Sequence, residues 1–104
     1  MSIQLTKSNQ DVLNTETLSV IKFSSLTCGP CQMLANGAWP RLLEVNPTAV
    51  QFLTVDSDVE HELNGNYHIT GVPTVVFVKS GKELERLVGL NQQSAYQTAI
   101  DKLK

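Results

Sequence analysis

The chain has 104 residues, 41% of them hydrophobic and 17% charged, with a formal net charge of -2 and a pI near 5.5. That length and apolar content suit one compact domain spanning residues 1–104, and the mild acidity leaves no basic footprint for nucleic acid or an anionic lipid surface. The opening residues, Met1 to Asp11, lack the apolar run of a leader peptide, and no stretch approaches the ~20 residues of a membrane span. We therefore expect a cytosolic protein with neither nucleic-acid nor membrane partners.

Ile3 to Leu5 reads as a short strand, after which Thr6 offers a hydroxyl cap for a brief helix over Ser8 to Leu13. Leu18 to Phe23 is apolar on both faces at Val20, Ile21 and Phe23, the pattern of a central strand covered on each side. This strand delivers the chain to Cys28, Gly29, Pro30 and Cys31, which hold the only two cysteines. Residues three apart share a helix face, so their sulfurs can meet. A ring that small restrains little unfolded chain, which makes the bond a poor staple and a good switch.

Pro30 suits the first turn of a helix, where its missing N–H would have lacked a partner. Cys28 then sits among unpaired N–H groups at the positive end of the helix dipole, which favours a thiolate. We assign Cys28 as the attacking nucleophile, with Cys31, one turn deeper, resolving the mixed disulfide. In a reducing compartment a Cys-x-x-Cys within alternating strands and helices points to catalysis. Two rival readings remain: a pair of packed thiols, which leaves Gly29 and Pro30 unexplained, and a zinc site completed by His61 and His68, which lack the usual close ligand spacing.

Leu34, Ala38, Leu42 and Val45 form one apolar stripe on the following helix, yet Pro40 removes a donor and crowds the carbonyl of Asn36. A kink or break is expected between Asn36 and Pro40. Trp39 reads as a packing or rim residue. Asn46 and Pro47 end the helix, Val50 to Val55 reads as a second buried strand, and Asp56 closes it. Ser57 to Glu60 has the pattern of a capping box for a short helix to Leu63, stopped by Asn64 and Gly65. His61 reads as a solvated residue on that helix.

Pro73 marks the bend into a buried strand, Thr74 to Val78. Ser80 and Gly81 then turn a hairpin into Glu83 to Val88, an antiparallel edge strand blunted by Glu83, Glu85 and Arg86. Asn91 is placed to cap a last helix whose buried face is Ala95, Tyr96, Ala99, Ile100 and Leu103.

The order of these elements, with Phe23, Cys28 to Cys31, Asp56, Gly71 to Thr74, Gly81 and Gly89, resembles the thioredoxin family over nearly the whole chain. The resemblance implies an α/β thioredoxin-like fold, a mixed five-stranded sheet flanked by helices on both faces, with Pro73 in cis opposite the cysteines. It implies a thiol:disulfide oxidoreductase that reduces protein disulfides without a bound cofactor, recharged by a thioredoxin reductase or another dithiol donor. By the same likeness the Val72 backbone bonds an extended substrate, while Thr27, Gly29, Pro30, Gly71, Pro73, Gly89 and Leu90 shape the groove. Such strand-like contact reads shape more than side chains.

The sequence departs from the family at five positions. Thr27 stands where an aromatic usually precedes the first cysteine, and Ser24 replaces a second aromatic. The usual place of the helix proline falls at Asn36, Gly37 or their neighbourhood, with Pro40 further along, which moves the expected kink by about a turn. Lys22 stands where the family buries an Asp beneath the second cysteine, and Phe52 where that acid has its lysine partner. Two readings of Lys22 compete. In one its stem packs under the helix and its ammonium snorkels to water. In the other it stays near Cys31, either as an ammonium that stabilises thiolates and raises the potential or as a neutral amine that shuttles protons. The lost aromatic and acid also leave open an adaptor module with little turnover, or a more oxidising oxidase or isomerase.

Overall fold

The computed structural model describes residues 2–104. Five strands form one mixed sheet in the order β1-β3-β2-β4-β5: β1 (Ile3–Gln4), β2 (Leu18–Ser24), β3 (Val50–Asp56), β4 (Thr74–Lys79) and β5 (Lys82–Val88). β2 is central, parallel to β3 and antiparallel to β4, and β5 closes one edge antiparallel to β4. Helices α1 (Gly29–Asn36), α2 (Ala38–Val45), α3 (His61–Asn66) and α4 (Gln93–Leu103) complete the element order with a 3-10 turn at Gln10–Leu13.

Strand alternation divides the core into two layers. Leu18 and Val20 of β2, Val50 and Phe52 of β3, and Val75 and Phe77 of β4 pack with Leu34, Trp39, Leu42, Tyr96, Ala99 and Ile100. Ile21, Phe23, Leu53, Val55, Val76 and Val78 point the other way, onto Leu5, Leu13 and Leu63. The sheet is thus buried on both faces, which is why β2 and β4 carry apolar residues on each of their two sides.

Several local expectations are corrected. The Thr6 hydroxyl accepts from Ser8 N at 3.2 Å and starts no regular helix; the segment tightens into the 3-10 turn preceded by Asn9. The helix after the cysteines breaks at Gly37, where an added Cβ would stand 2.9 Å from the Met33 carbonyl oxygen. Restarting at Ala38 puts Pro40 in the first turn of α2, where it forfeits no bond. It also rotates the stripe, so that Trp39 and Leu42 are buried while Val45 is 61% exposed. Ser57 does not cap α3. Asp56 turns the chain instead, its carbonyl accepting from Val59 N and Glu60 N and its carboxylate from Asp58 N, and α3 runs through Asn64 and Gly65. Asn91 lies before the N-cap of α4, Gln92, and its amide donates back to the Val88 and Gly89 carbonyls.

The hairpin between β4 and β5 turns through Ser80 and Gly81, both with positive φ (52° and 75°), the requirement of a type I′ turn. β5 carries a register shift at Leu84 that bends this edge.

Candidate active site

β2 ends at Ser24, and the four residues to Cys28 carry the chain from the carboxyl end of the sheet to the start of α1. Asp58 orders this loop: Ser25 Oγ donates to its carboxylate at 2.7 Å, accepts from Thr27 N at 3.3 Å and lies 3.2 Å from Thr27 Oγ1. Thr27 and Leu26 are exposed, Leu26 by 77%, so the rim before the cysteines is one small polar and one flexible apolar side chain. The loop's dependence on Asp58 escaped the sequence reading, since nothing local links residues 33 apart.

Cys28 is the N-cap of α1, with Gly29 and Pro30 opening the helix. Its Sγ accepts from Cys31 N at 3.2 Å and lies 3.6 Å from the Val72 carbonyl oxygen. The sulfurs of Cys28 and Cys31 are within disulfide-bonding distance, with Cα atoms 5.2 Å apart. Cys28 is half-buried and Cys31 is 1% exposed, so one sulfur faces outward and its partner lies beneath.

The opposite wall comes from the segment before β4. The Val72–Pro73 bond is cis. The Gly71 carbonyl accepts from the buried Thr74 hydroxyl at 2.7 Å, and the Pro73 carbonyl from Gly89 N at 2.8 Å. Gly89, at φ 81°, turns the end of β5 toward this segment, with Leu90 exposed beside it. Arg86 on β5 pairs through two nitrogens with Glu83 and donates to the Tyr67 carbonyl at 2.6 Å, tying that strand to the end of α3. Cys28, Gly29, Pro30, Gly71, Val72, Pro73, Gly89 and Leu90 therefore gather at one end of the sheet. His61 and His68 are exposed on and after α3, and among the described residues no cluster of three or more potential metal ligands occurs.

Lys22 lies beside Thr54 on the neighbouring strand, on the same sheet face as Leu18 and Val20, and lines a cavity with Cys31 and Ala35 of α1. It is only 6% exposed, and burial lowers its pKa from the ordinary lysine value. Among the described residues no carboxylate or hydrogen-bond acceptor reaches the ammonium; it lies over the Trp39 ring, 5.0 Å from the centroid. A cavity of about 230 Å³ behind the cysteines is lined by Lys22, Cys31, Ser24, Ala35, Thr54 and Asp56, among others. Thr54 Oγ1 is buried there with no hydrogen-bond partner among the described residues. The charge end of Lys22 thus rests on an indole face, with Cys31 on the wall of the same cavity. Trp39, read from the sequence as packing, is its companion.

Comparison with known proteins agrees with this architecture. The family model for thioredoxin matches residues 1–102. The chain is 33% identical over 90 residues to thioredoxin H-type 1 of Nicotiana tabacum, covering 85% of this chain and 68% of that protein. It is 33% identical over 95 residues to the mitochondrial thioredoxin of Bos taurus, covering 88% of this chain and 55% of that one. The X-ray structure of Fasciola hepatica thioredoxin superposes with a TM-score of 0.88 at 33% identity, with all of both chains covered. Oxidized mitochondrial thioredoxin 3 of Saccharomyces cerevisiae gives 0.87 at 26% identity, covering 98% of this chain and 95% of that one.

Proposed function

The chain belongs to the thioredoxin family, and from that membership we propose that it reduces protein disulfides by dithiol–disulfide exchange at Cys28 and Cys31. The single observation that carries the reading is the asymmetry of the pair: an outer sulfur receiving a backbone N–H at the helix start, and an inner one sealed beneath it. In the reduced protein the Cys31 N–H and the α1 dipole stabilise a thiolate on Cys28. That thiolate attacks one sulfur of a substrate disulfide, forming a mixed disulfide and expelling the other sulfur as thiolate, which takes a proton from water. Cys31 then loses its proton and attacks Cys28 Sγ, closing the intramolecular bond and releasing the second substrate sulfur as thiol. Two electrons leave the protein, and an external dithiol such as a thioredoxin reductase restores them, so no resident cofactor is required.

Thr27, Gly29, Pro30, Gly71, Val72, Pro73, Gly89 and Leu90 form the docking groove in this proposal, with the Val72 backbone meeting an extended substrate strand. Lys22 tunes the reaction from behind. Its charge favours thiolate at Cys31, and water held by Ser24, Thr54 and Asp56 in a cavity of this size can carry the proton between the two.

Cys31→Ser is the direct test. It should accumulate substrates as mixed disulfides on Cys28, visible as adducts on non-reducing gels, and Cys28→Ser should accumulate none; trapping by the second variant alone would reverse the assignment. The adaptor alternative predicts background turnover of a generic disulfide substrate even in excess dithiol. For Lys22, the Asp variant should lower the reduction potential, and an unchanged potential on equilibration with glutathione would remove Lys22 from the mechanism.

A further inference from the structure

Lys22 presents a problem that the exchange chemistry alone does not answer: a buried cation beside the redox pair, with no acid to hold it among the described residues. Charges in such surroundings either find a partner or give up their proton. The partner here is aromatic. Trp39 is 5% exposed and its ring is fixed from two sides, edge-on against Phe52 at 5.4 Å and 87°, and by Nε1 donating to Ser2 Oγ at 3.3 Å. These two contacts orient its face toward the ammonium. Indole is the best of the aromatic cation acceptors, and desolvation strengthens the attraction.

We propose that Trp39 is a positioning residue for the exchange reaction: its ring holds the Lys22 side chain as an ammonium at the back of the cavity, and so sets the positive charge felt by the Cys31 sulfur. The proposal rests on the exchange reading above only for its consequence, since the Lys22–Trp39 contact exists in the protein whatever it reduces. Holding the charge favours the dithiolate side of the couple; releasing it favours the disulfide. The other groups facing Lys22 add no competing charge of the same kind. Val75 on β4 and Thr54 on β3 do not ionise, α1 contributes Cys31, and the one acid lining the cavity is Asp56, the last residue of β3.

The test is equilibration with glutathione, which reads the two cysteines directly and does not require that the protein reduce other proteins. Trp39→Leu should shift the equilibrium threefold to tenfold toward disulfide, tenfold being about 30 mV. Lys22→Met should shift it the same way, and Lys22→Met/Trp39→Leu should match Lys22→Met alone. Trp39→Phe, which keeps a ring, should fall between Leu and the native protein. An unchanged equilibrium in Trp39→Leu, or a shift that persists undiminished in the Lys22→Met background, would overturn the proposal and assign Trp39 to packing only. Should Trp39→Leu fail to fold, the oxidised native protein decides the matter, because Cys31 cannot titrate there. Trp39 is the sole tryptophan, and its emission should change in an alkaline transition that Lys22→Met lacks; identical emission profiles for the two proteins would equally overturn it. Loss of turnover on a protein disulfide with these results intact would refute the reductase reading and leave the coupling standing.

Discussion

A lysine whose side chain is largely removed from water lowers stability wherever its charge is not fully compensated, and Lys22, 6% exposed, is such a lysine. Its folded pKa lies below its unfolded one, so between the two the unfolded chain binds more protons, and stability rises with pH across that window. Lys22→Met should therefore be more stable than the native protein at pH 7, by up to about 1 kcal/mol, since the Trp39 face offsets only part of the cost of burying the ion and replacing such an ion by an apolar residue is often stabilising. The advantage should shrink as pH climbs toward the ordinary lysine value. Urea midpoints of both proteins at pH 7 and near pH 10 would check both parts, and a constant difference would mean that the ammonium is solvated. At this scale the chain was partly legible. The unusual company of Lys22, between Ile21 and Phe23, was evident, and so was the orientation of Cys28 above Cys31. Trp39 was not, because its position under Lys22 depends on how the helix is re-phased at Gly37.

Elements are where local rules competed and some lost. Pro40 announced an interruption, but the break falls at Gly37, because only a residue without Cβ leaves room beside the Met33 carbonyl. Gly37→Ala should accordingly cost about 1–3 kcal/mol, the range of an overpacked contact with fixed backbone. Gly65 offers the opposite case: it lies within α3 and an added Cβ meets nothing within 4 Å. Gly65→Ala should stabilise by about 0.5–1 kcal/mol. Denaturant midpoints that moved in the same direction for both would contradict this account of the two helices. The cap of α3 shows why boundaries were harder to read than elements. Ser57 fits the capping pattern, yet Asp56 makes the turn one residue earlier, leaving Ser57 Oγ buried and unpartnered among the described residues. Two adjacent residues able to close the same turn cannot be ranked from the sequence alone, because the outcome depends on how β3 ends against Ser24, whose carbonyl accepts from Ser57 N at 2.9 Å.

For the molecule as a whole, the strands were legible because each carried its own signal: apolar on both faces for β2 and β4, a two-residue turn for the β4–β5 hairpin, charges on β5; the mixed five-stranded sheet came from the family resemblance, and the order β1-β3-β2-β4-β5 only from the structure. Contacts between distant segments, such as Asp58 on Ser25 or Arg86 on the Tyr67 carbonyl, left no such trace. Both core layers share β2, β3 and β4. We propose on that ground that residues 1–104 unfold as one cooperative unit, with calorimetric and van't Hoff enthalpies equal. Amides of these three strands should exchange slowest, at the global rate, while β1, two residues long, should open first. Two separated thermal transitions would break the proposal.

The short span of the cysteine pair has a kinetic consequence. With Cα atoms 5.2 Å apart inside the opening turn of α1, making or breaking their bond asks no journey of either. On the proposed chemistry, donor and acceptor of electrons then address one and the same atom through one doorway, and each visitor must depart before the next arrives. Turnover should follow double-displacement kinetics, with parallel lines in reciprocal plots, and a surplus of either visitor should inhibit by blocking its counterpart. Intersecting lines would reveal a ternary encounter, and with it a second port of entry for electrons.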